Sequence, residues 1–241
     1  MSHSHCAPGP ATWPLIEQEL ARHDAARPAC VLDVGGGSGG VAVRIAAGGA
    51  DVTVVDPSAD ALATLRRRAD DAGVRTGLVG IQGDLESLAD VIDGDTRFDL
   101  VLCHRVLDLV DDPGAAVRAV AATLRPGGAA SIVVANRAAV VLSRAIRGHL
   151  EQAIELLTEP TRMPASVAES RLLDTDSLAA LLTVAGLHPE TMHGVGVFSA
   201  LMPADRPETD TALLRRLEAL AGDRPPYRDI AALLHVLARR S

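Results

Sequence analysis

The chain has 241 residues, is 48% hydrophobic and 22% charged, and carries a formal net charge of −8, which suits one generous α/β domain with extensions, or one domain plus a small cap. No apolar run approaches a membrane span, and the N-terminus MSHSHCAPGPATW lacks the basic and apolar segments of a secretory signal, so a cytoplasmic location is expected. All 23 basic residues are arginine, the acidic balance gives no long-range attraction to nucleic acid, and three cysteines at 6, 30 and 103 make no disulfide framework.

Residues 1–12 read as a loosely held arm. His3, His5 and Cys6 are taken as part of that polar tail and not as metal ligands; no metal is expected. From Trp13 to His23 the pattern is helical, with Leu15, Ile16 and Leu20 in one apolar stripe, and such a helix is expected to cross the mouth of the loop that follows. Val31, Leu32 and Val34 read as a buried parallel strand. It runs straight into Gly35, Gly36, Gly37, Gly39 and Gly40, and a helical pattern follows. Strand, glycine turn and helix let backbone come close to a nucleotide-like ligand, because no Cβ stands in the way. The helix aims its N–H groups at whatever the loop holds.

The glycine spacing is ambiguous by itself. Gly35-x-Gly37-x-x-Gly40 fits a dinucleotide fingerprint, and Gly35-x-Gly37-x-Gly39 fits a loop for S-adenosylmethionine (SAM). Asp33, two residues before the first glycine, separates the two. It would repel a pyrophosphate, whereas it suits the ammonium of SAM.

Gly48 and Gly49 stop the helix, and Asp51–Asp56 is the second strand. Asp56 follows the last loop glycine at the spacing of a ribose-binding carboxylate. Pro57 and Ser58 turn the chain, Ser58 N-caps the next helix and Gly73 closes it. The run Arg66–Arg68 on that helix reads as a solvated face. Residues 77–82 are the third strand. Gly83, Asp84 and Leu85 follow, with Asp84 placed both to bond an adenine amine and to cap the segment LESLADVI. Phe98–Cys103 is a central strand that opens into His104, which stands on the expected sulfonium side.

Asp112 and Pro113 start a helix, and Pro126-Gly127-Gly128 turns into a fifth strand, AASIVVAN. Residues 137–158 read as a helix broken near Gly148. Residues 159–173 read as a mobile loop across the pocket. The segment DTDSLAALLTVAG is a helix capped by Asp174 or Asp176. HPETMHGVGVFSALM is a closing hairpin, and two C-terminal helices are expected over 208–221 and 227–240. Arg137, Arg144, Arg147, Arg162 and His149 would either meet an anionic acceptor or form a solvated face.

This order of pieces resembles the class I SAM-dependent methyltransferases. LDVGGGSGG, VTVVDPSADAL, GDLESL, FDLVLCHRVLDLV and LRPGGAASIVVAN look like their successive motifs, over residues 29–136. The resemblance implies a Rossmann-like α/β fold: a seven-stranded, mostly parallel sheet of order 3-2-1-4-5-7-6. Strand 7 is antiparallel, helices lie on both faces, and a helical insertion follows strand 5. It implies SAM as cofactor and S-adenosylhomocysteine (SAH) as product. By the same resemblance Asp33, Gly35, Gly36 and Gly37 approach the methionine part. Asp56 holds the ribose, Asp84 and Leu85 border the adenine, Cys103 with His104 line the sulfonium side, and Pro57, Ser58 and Gly83 are further expected cofactor contacts.

A narrower resemblance is to the tRNA uridine 5-oxyacetic acid methyltransferases, carried by CHRVLDLVDDPGAAVRAVAATLRPGG, Asn136, GVGVFSALM and PPYRDIAALLHVLARR. Tyr227 and His235 keep the family spacing. That family has Arg where this chain has Gly196 and Ala232, and an aromatic residue at Ala135. Its longer N-terminal segment is not matched.

The expected layout is an arm and helix at 1–28, a SAM-binding core at 29–136 and a helical cap at 137–173. Completion of the sheet at 174–202 and C-terminal helices at 203–241 follow. The expected reaction is in-line transfer of the sulfonium methyl to an unidentified acceptor, a small molecule or a tRNA-borne carboxylate. Asn136, Arg137, Arg144 and Tyr227 are the candidate acceptor contacts. A carboxylate acceptor needs no base; a hydroxyl or amine needs one, and His104 is then the candidate. The alternatives are a SAM-binding protein of this fold that transfers nothing, and an NAD-dependent oxidoreductase, which would lack a Tyr-Lys pair because the chain has no lysine.

Overall fold

The computed structural model describes residues 12–23, 27–74, 76–158, 172–202 and 211–241. The arm with His3, His5 and Cys6, most of the expected loop over 159–173, and Arg162 lie outside the described residues.

Helix α1 (Trp13–Ala21) leads to β1 (Cys30–Val34), α2 (Gly40–Ala47), β2 (Asp51–Asp56), α3 (Ala59–Asp71), β3 (Leu78–Gln82) and the single turn α4 (Leu88–Val91). Then come β4 (Phe98–His104), α5 (Pro113–Thr123), β5 (Leu124–Ala135), α6 (Arg137–Ile146), α7 (Leu150–Thr158), α8 (Thr175–Val184), β6 (Leu187–Val195), α9 (Thr211–Ala221) and β7 (Leu233–Arg240). The strands form one sheet of order β3-β2-β1-β4-β5-β7-β6, as expected from the motif order. Strands β1 to β5 pair in parallel, and β7 runs antiparallel to both β5 and β6.

Strands buried on both faces need continuous apolar runs. Leu32, Val34, Val101, Ile132 and Val236 face one core, covered by α5 and α8 through Val117, Val120, Leu178 and Leu182. Val31, Val54, Leu100, Leu102 and Leu237 face the other, covered by α1, α2 and α3 through Ile16, Ala42, Ile45 and Leu65. Among the described residues no helix is long and apolar enough to cross a membrane.

Three helix starts follow the sequence signals. Ser58 accepts from the N–H of Ala61 at 3.2 Å, and Asp112 accepts from Ala115 at 2.9 Å with Pro113 in the first turn. Asp174, not Asp176, caps α8, in a reciprocal box with Ser177. The expected break near Gly148 separates α6 from α7.

Two expectations are corrected. Helix α1 does not lie over the glycine loop. Trp13 stacks on Arg44, in the last turn of α2, and Glu19 binds Arg239 near the end of β7, at 2.9 Å to Nη2. It braces the far end of α2 and the amino ends of the strands. The second correction concerns the C-terminus. HPETMHGVGVFSALM supplies only one strand, β6, and the segment expected as a helix over 227–240 forms a short turn (Arg228–Ile230) and then β7. Leu234, Val236 and Ala238 enter one core and Leu237 the other. A strand between two others is buried on both sides, so its apolar run shows no alternation and mimics a helix.

Candidate functional site

The carboxyl ends of β1, β2, β3 and β4 stand side by side, with Asp33 opposite Val54, Asp56 opposite Gln82 and Cys103 opposite Val34. Ligands of such sheets bind in the crevice at this edge. The glycine loop fills its centre. Gly35, Gly37 and Gly39 have φ of 69°, 56° and 74°, the left-handed region where side chains are strained. Part of this glycine demand is internal. A Cβ on Gly35 would stand 2.4 Å from Val106 Cγ2, one on Gly36 2.5 Å from Asp33 Oδ2, and one on Gly39 1.9 Å from Leu65 Cδ1. The loop is thus packed tightly against its own supports, while its backbone remains the lining of the crevice. Arg68, expected on a solvated face, donates to Ser38 O at 3.2 Å and Ser38 Oγ at 2.8 Å, tying α3 to the loop.

Asp56 is buried and receives the N–H of Gly37 at 2.8 Å and of Ser58 at 2.9 Å. One carboxylate therefore sets both the glycine loop and the start of α3. Asp33 is buried beside it, and its pKa is pushed up to about 7, first by burial and then by the charge of Asp56. Asp84 is exposed. Its Oδ1 accepts from Ser87 N at 2.8 Å and Ser87 Oγ at 2.7 Å, which lowers its pKa and builds the turn into α4. Gly83 donates to Asp56 O at 3.3 Å, and the Pro57 carbonyl accepts from Gln82 Nε2 at 3.2 Å. The side chain of Leu85 lies in the core, so only its backbone can border a base. Cys103 is likewise a core side chain; burial, then the charge of Asp108, pushes its thiol up to about 12.

His104 points to the opposite face of β4 from Cys103. Its Nε2 lies 2.8 Å from Ser131 Oγ on β5, and Ser131 Oγ lies 2.9 Å from His235 Nε2 on β7. His193 on β6 stands next in the row, 6.4 Å from His235 between ring centroids. Burial lowers His104 to about 4 and His235 to about 3. The sequence pointed to His104 by position and to His235 by resemblance; Ser131 and His193 gave no signal except a hydroxyl and an imidazole in strands. Among the described residues no three His, Cys, Asp or Glu stand close enough to hold a metal ion.

The acceptor side of the crevice is the end of β5. Asn136 is fully buried, and its side chain is already engaged. Nδ2 donates to Asp229 O at 2.9 Å and Ala231 O at 2.8 Å, and Oδ1 accepts from Ala138 N at 3.1 Å. It is a strut and the cap of α6, which corrects its expected role as an acceptor contact. Arg137 pairs with Asp174. Arg228 Nε lies 2.9 Å from Asp229 Oδ1. Arg105, a non-glycine residue at φ 63°, sets Nη1 3.2 Å from Oδ2 of the buried Asp108, close enough to pair by charge though not aligned as a hydrogen bond. Asp108 Oδ1 accepts from Ala135 N at 2.9 Å. Arg144 is half-buried on α6. Tyr227 is 45% exposed, with its ring 6.0 Å from Phe198. Gly196 and Ala232 are neighbours, the Ala232 N–H donating to Gly196 O at 3.2 Å. Glu218 was not anticipated at all: its carboxylate gathers the N–H groups of Val197, Phe198 and Ser199 at 2.7, 3.0 and 2.8 Å.

A concavity of about 710 Å³ lined by Trp13, Glu17, Arg44 and Gly48 lies at the amino ends of the strands, away from this edge. The crevice is the better site on physical grounds, because loop backbone, helix start and ionisable groups converge there. Three carboxylates, Asp33, Asp56 and Asp84, follow β1, β2 and β3 around the glycine loop. That donor set fits a cationic, hydroxyl-bearing adenosyl ligand and disfavours a pyrophosphate. Fold and crevice together define a Rossmann-like SAM-dependent methyltransferase.

Residues 31–128 match the family described as a methyltransferase domain, and this part of the chain belongs to it. The chain is 26% identical over 211 residues to the tRNA 5-carboxymethoxyuridine methyltransferase of Escherichia coli (strain K12), covering 87% of this chain and 79% of that one. It is 33% identical over 165 residues to the ubiquinone biosynthesis O-methyltransferase of Bordetella avium, covering 68% and 64%. Among solved structures, a SAM-dependent methyltransferase from Mesorhizobium loti superposes with a TM-score of 0.63 at 22% identity, covering 96% of this chain and 99% of that one. The Burkholderia thailandensis 1,6-didemethyltoxoflavin-N1-methyltransferase, solved with bound 1,6-didemethyltoxoflavin and SAH, superposes at 0.58 with 21% identity, covering 96% and 79%.

Proposed function

We propose that the chain moves the sulfonium methyl of SAM to an oxygen of a small molecule seated over the ends of β4 and β5, beneath a cap formed by α6 and α7. The observation that carries the acceptor class is the state of the rim arginines. Arg105, Arg137 and Arg228 are each held by an acid of the chain, Asp108, Asp174 and Asp229. With a net charge of −8, little positive field is left for a polyanion such as tRNA. Oxygen is favoured because the curated relatives include a ubiquinone biosynthesis O-methyltransferase.

In this reading Gly35, Gly36 and Gly37 hold the methionine end with Asp33 near its ammonium. Asp56, Pro57 and Ser58 hold the ribose, Gly83, Asp84 and the Leu85 backbone border the adenine, and His104 faces the transferred methyl. Arg137, Arg144 and Tyr227 border the acceptor. The cofactor brings its own leaving group. The residues chiefly align the acceptor with it, and alignment can contribute about 7–11 kcal/mol.

A reading without transfer has one supporting observation: at Gly196 and Ala232, where the resemblance to the tRNA-modifying family leads one to expect arginine, two small residues pack on each other, with a Cβ on Gly196 standing 3.4 Å from the Ala232 Cβ.

Thermal unfolding with SAM, SAH and NAD tests the cofactor half. Ligand at 100 times its Kd adds about 2.7 kcal/mol, roughly 5–10 °C for a chain of this size. A shift with NAD alone would overturn the reading. Labelled-methyl transfer to small phenols and carboxylic acids against bulk tRNA tests the acceptor half, and tRNA as the better acceptor would refute the small-molecule assignment.

A further inference from the structure

One face of the sheet ends in a row of four polar side chains, His104, Ser131, His235 and His193, one from each of β4, β5, β7 and β6. The register produces the row: Leu102 pairs with Ser131, Val133 with both His104 and His235, and His235 with His193. Ser131 Oγ is within hydrogen-bond reach of two imidazoles, and both reach it through Nε2.

A hydroxyl has one proton to donate. Two rings that both accepted at Nε2 would need two hydroxyl protons. Two that both donated would leave the one hydroxyl proton stranded, because the fully buried Ser131 has no third side-chain partner among the described residues. One must donate from Nε2 and the other must accept there. Burial keeps both rings neutral at pH 7. The far end of the row selects between the two arrangements. His235 is fully buried, and its Nδ1 has no hydrogen-bond partner among the described residues. A sealed, unpaired N–H is among the rarest and most costly states of a polar group. A bare ring nitrogen leaves only a lone pair unmet. His235 therefore carries its proton on Nε2, where Ser131 accepts it. The Ser131 hydroxyl then turns to His104 Nε2, and the His104 proton must sit on Nδ1.

We propose that His235, acting through Ser131, holds His104 in the Nδ1–H tautomer, so that His104 is a hydrogen-bond donor to the methyl acceptor and not the base of the reaction. The proposal rests on the reading of this crevice as the methyl-transfer site. His104 Nδ1 makes no hydrogen bond among the described residues, and the ring is half-buried at the carboxyl end of β4. Around it stand Arg105 and Asp108 on the following loop, with His235 and His193 across the sheet; Arg105 is held by Asp108. A ring that donates here selects an acceptor oxygen that is already ionised before it binds. That oxygen supplies the electron pair of the new O–CH3 bond, the pair of the broken C–S bond stays on sulfur, and no proton has to move. Ser131 and His235 are positioning residues that act only through His104.

The test is a ring-nitrogen NMR spectrum of the full chain, labelled with 15N-histidine, at pH 7 in the presence of SAH. His104→Gln assigns the His104 signals. The expected result is a protonated Nδ1 and bare Nε2 on His104, with the opposite pattern on His235. A bare Nδ1 on His104 overturns the proposal, and the wild-type spectrum alone decides this. Ser131→Ala cuts the link. His104 should then lose its single tautomer while SAH affinity stays within about twofold. An unchanged His104 tautomer in Ser131→Ala would also overturn it. Failure of the functional reading looks different: SAH does not bind the wild-type chain, whatever the tautomer.

Discussion

Asp33→Asn is the substitution whose effect can be worked furthest from the structure. In the folded chain burial and Asp56 raise the Asp33 carboxyl from 3.8 to about 7. A carboxyl raised by folding keeps its proton where the unfolded chain has lost it, so it lowers stability as pH rises from the unfolded value to the folded one, and the loss is complete above about pH 7. At 1.36 kcal/mol per unit the full cost is about 4 kcal/mol. Between pH 5 and pH 8 roughly 3 kcal/mol of that cost develops. Asparagine has the same shape and no charge to lose. The unfolding free energy of Asp33→Asn minus that of the wild type should therefore rise by roughly 3 kcal/mol from pH 5 to pH 8. Urea unfolding at four pH values measures it, and titrating groups other than the coupled neighbour Asp56 cancel in the difference. SAM supplies a second readout. In the proposed placement its ammonium favours the ionised carboxyl, so binding near pH 6.5 should release up to about three-quarters of a proton in the wild type and none in Asp33→Asn, read by calorimetry in buffers of different ionisation enthalpy. A pH-independent stability difference, with no proton released, would refute both the burial argument and the placement of the ammonium.

Other substitutions separate binding from packing. Asp56→Ala removes the acceptor for the Gly37 and Ser58 N–H groups, and SAM affinity by calorimetry should fall at least about 100-fold, or roughly 3 kcal/mol; undiminished affinity would sink the placement of the ribose. Gly39→Ala puts a methyl 1.9 Å from Leu65 Cδ1 at a φ of 74° and should cost about 2–4 kcal/mol in unfolding titrations. In a Leu65→Ala background the same change should cost only about 1–2 kcal/mol, the backbone strain alone; strict additivity would refute the clash. Asn136→Ala leaves two carbonyls and an N–H in buried or part-buried positions without their partner and should cost about 2–4 kcal/mol while leaving SAH affinity unchanged; a selective loss of acceptor binding without loss of stability would return Asn136 to the acceptor site.

Much of the fold was legible because parallel strands and glycine turns write themselves locally. The run Cys30 to Gly40, the caps Ser58 and Asp112, and the order of motifs through Asn136 needed only neighbouring residues to be read. The last strand did not. Leu233–Arg240 contributes to both cores at once, so its pattern carries neither clean alternation nor a single stripe and does not separate strand from helix. The same limit hid the histidine row. His104, Ser131, His193 and His235 are scattered over more than 130 positions, and only the pairing of β4, β5, β7 and β6 brings them together. One local signal was available. Ser131 stands inside AASIVVA, a run otherwise free of polar groups, on a strand between two others. A hydroxyl in that setting must find a partner across the sheet. The only strand neighbours able to supply one on its face are those that carry His104 and His235. A polar residue inside a doubly buried strand is thus a statement about register, and here the register leads back to the crevice.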